Sequence, residues 1–197
     1  MQMNRRQFGS LAAGGLALAF TRKAWALGST QDVLLARAKE SLDSHRSAFA
    51  LRDRVGLADF SRPSRELRFH IVDLMGGTVS SYLVAHGRGS DPDHSGWLER
   101  FSNEPNSLAS SSGAYLTGEF YHGIHGQAMR LKGLDSNNSN AEDRAIVIHG
   151  APYVSENQIS TWGKIGRSEG CFAVAEHMLP QVVGLLGSGR MLYSDKV

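Results

Sequence analysis

A chain of 197 residues with 41% hydrophobic and 20% charged residues is long enough to close one apolar core without disulfides, so it predicts a single globular domain. The formal net charge of +2 depends on residues 1–26, which hold four of the 21 basic side chains and no acidic one. The remainder has 17 basic against 19 acidic side chains, about −2, and this balance gives no electrostatic case for nucleic-acid binding.

Residues 1–26 have the organisation of an export signal. Arg5-Arg6 precede a short apolar run over 11–20, and Ala24-Trp25-Ala26 follows as a small-x-small cleavage pattern. Arg5-Arg6 followed by Gln7-Phe8 resembles the twin-arginine motif. The apolar run is about half of the ~20 residues that a membrane-spanning helix needs. We therefore expect export to the periplasm by the twin-arginine route and no membrane span after cleavage. The alternative is an uncleaved amphipathic or disordered N-terminus.

The following residues predict a helix and then a series of strands. In a helical segment over 27–54, apolar residues at helical spacing predict a helix over about 31–49. An amphipathic pattern predicts another helix over 175–186, which Pro180 allows if it lies in the first turn. Apolar alternation and turn residues predict strands at 55–60, 67–72, 78–86, 114–121, 127–132 and 190–194. Together these elements predict an α+β, mainly β fold with antiparallel strands and one domain over 55–197.

Two polar parts of the chain were weighed as further sites. Residues 87–113 form a long polar segment of the kind that is functional or mobile, with Trp97, Leu98 and Phe101 available to hold it to the body. His122 and His125, three apart in a Gly-rich turn, are expected to line a cleft or to be solvated rather than to bind a metal, and no ligand spacing supports a metal site at His94 with Asp91 and Asp93. No Gly-rich phosphate loop follows a strand. We expect no metal and no cofactor.

The stretch from 145 to 174 contains the residues that point to chemistry. A buried-looking strand ends in His149-Gly150, and Cys171, the single cysteine of the chain, follows the turn at 168–170. A thiol needs a base within hydrogen-bond reach to be a useful nucleophile at neutral pH, and an imidazole is the usual one. The small residues of the turn favour free amides at Gly170 and Cys171, which an oxyanion needs. A lone cysteine is otherwise a small buried hydrophobe, although in an exported chain it is either intermolecular or a working thiol.

This arrangement resembles a known family. His149-Gly150, seventeen further residues and Ser168-Glu169-Gly170-Cys171 are similar to the His-Gly…Ser/Thr-His-Gly-Cys signature of the murein L,D-transpeptidase catalytic-domain (YkuD-like) family. Other segments resemble a shorter-chain branch of that family, namely 83–87, 115–119, 144–155 and 166–171. The resemblance covers about residues 55–195. It implies a β-sandwich-like L,D-transpeptidase fold with an N-terminal helix and a helix after the catalytic Cys.

The resemblance also implies a reaction and the residues that perform it. Family members act on peptidoglycan stem peptides: the Cys attacks the carbonyl of the third residue and expels the terminal D-alanine. An amine of a neighbouring stem then resolves the thioester in a 3→3 cross-link. Carried over to this sequence, Cys171 is the nucleophile and His149 the base. The Gly150 carbonyl orients the imidazole, the Gly170 and Cys171 amides form the oxyanion hole, and Ser168 holds the turn.

Two departures from the family pattern concern substrate recognition. Glu169 stands where the larger family has a His, and beside a thiolate it would raise the thiol pKa unless it points away or recognises the acceptor amine. Asn or Arg two residues after the Cys is also missing. Arg167 is the nearest cation, expected either to meet a substrate carboxylate or to brace a loop. His86 is expected to line the cleft, and Tyr153 either packs the loop or forms a substrate wall.

The leading prediction is a periplasmic, monomeric L,D-transpeptidase that acts on stem peptides through a Cys171 thioester. The first alternative is an L,D-carboxypeptidase or endopeptidase, in which water resolves the same acyl-enzyme. The second is a catalytically silent cell-wall-binding domain, against which the retained His149 and Cys171 argue. The third is a redox sensor, for which the sequence offers no resolving cysteine.

Overall fold

The computed structural model describes residues 32–123 and 126–197, so the predicted export signal at 1–26 lies outside the described residues. The first described element is helix α1, residues 32–44, and a 3-10 turn at Arg46–Ala48 follows it. Leu34, Ala38 and Leu42 recur every four residues and are buried, because this spacing places them on one side of the helix. In the described part of the chain no helix is long and apolar enough to cross a membrane.

The described residues form one mixed sheet of eight strands. Their bounds are β1 Arg54–Asp59, β2 Phe69–Asp73, β3 Thr78–Tyr82, β4 Gly113–Gly123, β5 Gly126–Gly133, β6 Val147–Ala151, β7 Phe172–Ala175 and β8 Met191–Asp195. Their order is β3-β2-β1-β8-β4-β5-β6-β7, and pairing is antiparallel except at β1–β8 and β6–β7. The segment that follows β3 forms an isolated β-bridge with β7, between Ala85 and Ala173. The first and last strands of the order are therefore connected through this segment.

Alternate residues of the strands pack on the two faces of the sheet. In β1, Val55 and Leu57 pack with the buried side of α1, whereas Ala58 belongs to the main core. Aromatic rings fill the centre of that core: the Tyr115 and Phe172 ring centroids are 5.4 Å apart in an edge-to-face contact. Helix α3, Leu179–Leu186, packs against the same core through Leu179, Val182, Val183 and Leu186.

Helix α2, Glu156–Trp162, connects β6 to β7 and was not predicted from the sequence. Ser155 caps its N-terminus, where Oγ accepts a 3.3 Å hydrogen bond from Gln158 N–H. Gly163 ends it in a left-handed conformation with φ of 70°. No residue of α2 is buried, so its sequence lacks the apolar periodicity that identifies an amphipathic helix.

The predicted α+β, mainly β class is confirmed, with a helix before the first strand and another after Cys171. The helix expected over 175–186 begins as a 3-10 turn at Glu176–Met178, and Pro180 lies in the first turn of α3. The strands differ from the prediction in two ways. Two of the strand pairs are parallel. Strand β7 was not predicted, because its four residues are all buried and are too few to show a period.

Candidate active site

His149 and Cys171 come to the same pocket because β6 and β7 are neighbours in parallel register. The register pairs His149 with Ala173 and Ile148 with Phe172. Side chains alternate along a strand, so His149 and Ala173 point to one side of the sheet, and Cys171, directly before β7, lines the same pocket as His149. Ile148 and Phe172 point to the other side and are fully buried in the core.

Both residues line a pocket of about 490 Å³. The polar segment after β3 supplies one wall through Pro105, Asn106 and Leu108. The entry to β6, the loop after it and the turn before β7 supply the rest: Asp143, Arg144, Ala145, His149, Tyr153, Arg167, Ser168, Glu169 and Cys171. The long segment at 87–113 therefore contributes to the pocket, and Leu98 and Phe101 pack it against the main core.

The orientation of the His149 imidazole follows from one backbone contact. Its Nδ1 lies 2.9 Å from the Gly150 carbonyl oxygen, which can only accept a hydrogen bond. The proton must therefore be on Nδ1, and the basic lone pair is on Nε2. This is the contact that the resemblance implies for Gly150. The ring is 4% exposed, so this tautomer is held in a nearly water-free position.

The Cys171 thiol is half-buried at the base of the pocket. Its Sγ–H donates to the Ala145 carbonyl oxygen at 3.6 Å. Burial raises the pKa of the thiol and the charge of Glu169 adds to this effect, while a backbone hydrogen bond from Val147 and the charge of Arg144 oppose it. The resting thiol is consequently protonated at neutral pH, and its activation requires a base.

The turn before Cys171 is closed by the Ser168 hydroxyl. Ser168 Oγ donates to the Cys171 carbonyl oxygen at 2.6 Å and accepts from Gly170 N–H at 3.2 Å. Gly170 has φ of 117°, and a Cβ there would lie 2.8 Å from the Ala109 carbonyl oxygen. Both hydrogen bonds of the Ser168 hydroxyl therefore lie within the turn. The Gly170 amide, however, is engaged inside the turn, so its expected place in the oxyanion hole is not supported by this geometry.

Arg167 and Tyr153 both line the pocket. Arg167 Nη1 donates to the carbonyl oxygens of Asp91 and, at 3.0 Å, Pro92, which are the contacts of a loop-bracing arginine. Its contact with a substrate carboxylate stays a prediction. Tyr153 accepts a 2.8 Å backbone hydrogen bond from Gly166 and packs against it. Burial raises the pKa of Tyr153 to about 12, so it is a neutral hydrogen-bond donor at the pocket wall.

Glu169 lies at the exposed rim of the pocket, where its carboxylate receives a 2.8 Å hydrogen bond from Arg88. Both side chains are more than half exposed, so this ion pair contributes little to stability. Because a surface ion pair exchanges readily with solvent, the carboxylate is accessible to a cationic group. Recognition of an acceptor amine by Glu169 stays a prediction.

His86 lies in the interior and does not line the pocket, so its position does not support the expected contact with substrate. Its Nδ1 accepts a 2.8 Å hydrogen bond from the buried Arg68, and its Nε2 lies 3.2 Å from the Asp91 carboxylate. Burial and the charge of Arg68 lower the pKa of His86 to about 4. The His86 carbonyl accepts a 2.9 Å hydrogen bond from Ser168 N–H, so the backbone of His86 is bound to the turn before Cys171.

Sequence reasoning gave no role to the pocket residues Asp143, Arg144 and Ala145 at the entry to β6, although 144–155 is one of the segments that resemble the family. Arg144 directly precedes the apolar run of that strand, and an arginine at this position was a usable signal. Within residues 32–123 and 126–197 no group of three His, Cys, Asp or Glu side chains has the arrangement of a metal site.

Comparison with protein families matches residues 29–194 to the L,D-transpeptidase catalytic domain. The chain belongs to this family. No curated protein matches the chain. Solved structures to which the chain is similar include an L,D-transpeptidase from Mycobacterium smegmatis (12% identity, TM-score 0.43, 73% of this chain and 58% of that one). Another is L,D-transpeptidase 3 from Mycobacterium tuberculosis in complex with a faropenem-derived adduct (12% identity, TM-score 0.46, 73% of this chain and 60% of that one). The chain thus spans about three fifths of the length of these two proteins.

Proposed function

We propose that the chain is an exported, peptidoglycan-modifying L,D-transpeptidase that acts on stem peptides through a Cys171 thioester. The observation that carries this proposal is the placement of His149 on β6 and of Cys171 directly before the neighbouring β7, both lining a pocket of about 490 Å³. A pocket of this size is typical of sites for drug-sized ligands. Membership of the L,D-transpeptidase catalytic domain family gives the class of reaction.

The first half-reaction forms the thioester. His149 Nε2 removes the Cys171 thiol proton, and Sγ attacks the carbonyl carbon of the third stem residue. The resulting oxyanion is stabilised by the Cys171 amide, since the Gly170 amide is engaged with Ser168. As the tetrahedral intermediate collapses, the bond to the terminal D-alanine breaks and His149 returns the proton to the departing amine.

The second half-reaction releases the acyl group. An amine of a second stem attacks the thioester carbonyl, His149 accepts the amine proton, and Sγ leaves as the thiolate that is then reprotonated. The product is a 3→3 cross-link, or an exchanged terminus when a free D-amino acid is the amine. Water in place of the amine gives an L,D-carboxypeptidase or, on a cross-linked substrate, an endopeptidase.

Charged groups around the pocket fit a substrate with carboxylate and amine groups. Arg167 would meet a donor carboxylate, and the exposed Glu169 would meet the acceptor amine. Export by the N-terminal signal would bring the enzyme to the periplasm, where its polymeric substrate lies. We propose that it works there as a monomer.

The test uses the purified protein with disaccharide-tetrapeptides, followed by intact-protein mass and product analysis. The matched variants are Cys171→Ala, which removes the nucleophile, and Cys171→Ser, which keeps a weaker one. Loss of D-alanine with the appearance of dimers is the expected result, and both variants should lose it. Dimer formation that persists in Cys171→Ala would refute the thioester mechanism.

Two other outcomes distinguish the alternatives. Loss of D-alanine without dimers, even when a second stem peptide or a free D-amino acid is present in excess, identifies the carboxypeptidase. Absence of both turnover and a carbapenem adduct on Cys171 identifies a catalytically silent wall-binding domain, and sedimentation of the protein with isolated peptidoglycan would then measure that activity.

A further inference from the structure

We propose that Arg144 is the cation that stabilises the thiolate of Cys171, an inference that rests on the proposed function. Arg144 lines the same pocket as Cys171 and immediately precedes Ala145, whose carbonyl accepts a hydrogen bond from the thiol. Its guanidinium also packs against Gly170, because a Cβ on that glycine would lie 3.1 Å from Arg144 Nη2. Arg144 is therefore next in sequence to the residue that contacts the sulfur, and its guanidinium contacts the turn directly before Cys171.

The backbone at Ala145 holds this arrangement together. Ala145 has φ of 52°, a left-handed conformation that is unfavourable for a residue with a Cβ. Such strain persists only when surrounding contacts maintain it, and it is frequent at functional sites. Here Ala145 N–H donates to the Glu142 carbonyl at 2.9 Å, and its own carbonyl receives the thiol. The left-handed residue thus places the Arg144 side chain and the Ala145 carbonyl at the same pocket.

The positive charge of Arg144 is not neutralised by a carboxylate. Nη1 donates to the Ser102 carbonyl at 2.8 Å, and Nη2 donates to the Ala109 carbonyl. Among the described residues, no Asp or Glu oxygen lies within the 4.0 Å of a salt bridge to it. Backbone carbonyls satisfy the guanidinium donors but do not cancel its charge, so its field extends to a neighbouring anion.

The ionisable groups that share the pocket with Cys171 act on the thiol in opposite directions. They are Asp143, Arg144, His149, Tyr153, Arg167 and Glu169. Arg144 lowers the pKa of Cys171 and the exposed Glu169 raises it. Glu169 is paired with Arg88 in solvent, which screens its charge, whereas Arg144 is half-buried and acts through a medium of lower dielectric. His149 is a cation only after it has taken the thiol proton, so Arg144 is the permanent cation that favours a negative sulfur.

Two other roles for Arg144 make different predictions. If it only braces residues 102 and 109, its loss lowers the melting temperature and leaves the titration of the thiol unchanged. If it binds a substrate carboxylate, its loss raises the KM for the donor peptide and also leaves the thiol titration unchanged. Only a role in stabilising the thiolate moves the pH at which Cys171 becomes nucleophilic.

The experiment measures the alkylation rate of Cys171 by iodoacetamide against pH, by intact mass, on the full chain without any stem peptide. Arg144→Gln removes the charge and Arg144→Lys keeps it. Arg100→Gln is the matched control, because Arg100 is exposed and its Nε donates to the Gly89 carbonyl at 3.0 Å in the same loop. Cys171→Ala gives the background.

We expect the midpoint of alkylation in Arg144→Gln to move to higher pH, with a rate about five- to tenfold lower at pH 7, because less thiolate is present. Arg144→Lys and Arg100→Gln should keep the wild-type midpoint. A profile of Arg144→Gln that overlays the wild type overturns the proposal. If the Gln variant does not fold, Arg144→Lys decides, since a raised midpoint despite the retained charge also overturns it.

The same data separate this inference from the proposed function. A wild-type protein that shows the Arg144-dependent alkylation profile but processes no tetrapeptide has the activated thiol and not the proposed activity. A wild-type protein that forms dimers while Arg144→Gln keeps the wild-type alkylation profile has the activity and not the proposed stabilisation.

Discussion

Ser168 ties the backbone of Cys171 to the turn that precedes it through two hydrogen bonds of one hydroxyl. Oγ donates to the Cys171 carbonyl oxygen at 2.6 Å and accepts from Gly170 N–H at 3.2 Å. The backbone of Ser168 is also bound on both sides, to His86 and to Arg88. The backbone position of Cys171 is therefore held by a side chain three residues away and by the segment that follows β3.

Ser168→Ala should impair thioester formation more than it impairs folding. Loss of the hydroxyl removes both hydrogen bonds, and each is worth about 1 kcal/mol in stability. Because a small displacement of a nucleophile has a large kinetic effect, we expect a fall of about 10- to 100-fold in kcat/KM for the donor. Steady-state kinetics and thermal unfolding measure the two effects.

Ser160→Ala is the matched control for this turn, because Ser160 Oγ donates to the Asn157 carbonyl at 3.0 Å within α2, away from the pocket. It should lose similar or less stability and keep full activity. Wild-type kcat/KM in Ser168→Ala would mean that the turn does not position the thiol.

Gly170→Ala should destabilise the fold more than Gly163→Ala does. Both glycines have positive φ, 117° and 70°, so either alanine carries backbone strain of about 1–2 kcal/mol. Only the Cβ at position 170 also meets neighbours, at 2.8 Å from the Ala109 oxygen and from Ile146 Cδ1. We expect a loss of about 2–4 kcal/mol for Gly170→Ala and about 1 kcal/mol for Gly163→Ala in urea unfolding. Equal losses would show that contact at position 170 relaxes without cost.

His149→Gln should abolish most turnover while the fold persists. The resting thiol is protonated because burial raises its pKa, so removal of the base should lower kcat/KM by about 10²- to 10⁴-fold at pH 7. His177→Gln is the control, since His177 is an exposed histidine in the 3-10 turn before α3. Donor hydrolysis and circular dichroism measure activity and folding. If His149→Gln turned over substrate at the wild-type rate, another group would have to be the base.

The elements that could be predicted are those whose apolar residues repeat along the sequence. Leu34, Ala38 and Leu42 mark α1, and Phe69 and Ile71 on either side of His70 mark β2, although four of the five residues of β2 are buried. Helix α2 has no buried residue and β7 has only buried ones, so neither shows a period. The candidate nucleophile and base also stood out locally, because Cys171 is the single cysteine and His149 ends an apolar strand.

The details of the site depend on contacts between distant parts of the chain, which local patterns do not encode. The Gly170 amide donates a hydrogen bond to Ser168 Oγ, although the small residues of the turn favoured a free amide. His86 was expected in the cleft because it ends a strand. It is buried because Arg68, eighteen residues earlier, donates to its ring. Pairing of this kind becomes visible only when the register of the strands is known.

The buried His86 makes the stability of the protein sensitive to acid. Its pKa is lowered to about 4 in the folded state from an ordinary 6.5, so between these values the unfolded chain binds a proton that the folded chain does not. Stability should therefore fall as pH decreases from about 6.5 to 4, by up to about 3 kcal/mol from this residue. His86→Gln should start less stable at pH 7.5 and lose less on acidification, whereas the exposed His122→Gln should lose as much as the wild type. Urea unfolding at pH 7.5 and 4.5 measures this difference, and equal acid losses in His86→Gln and the wild type would show that another group carries the effect.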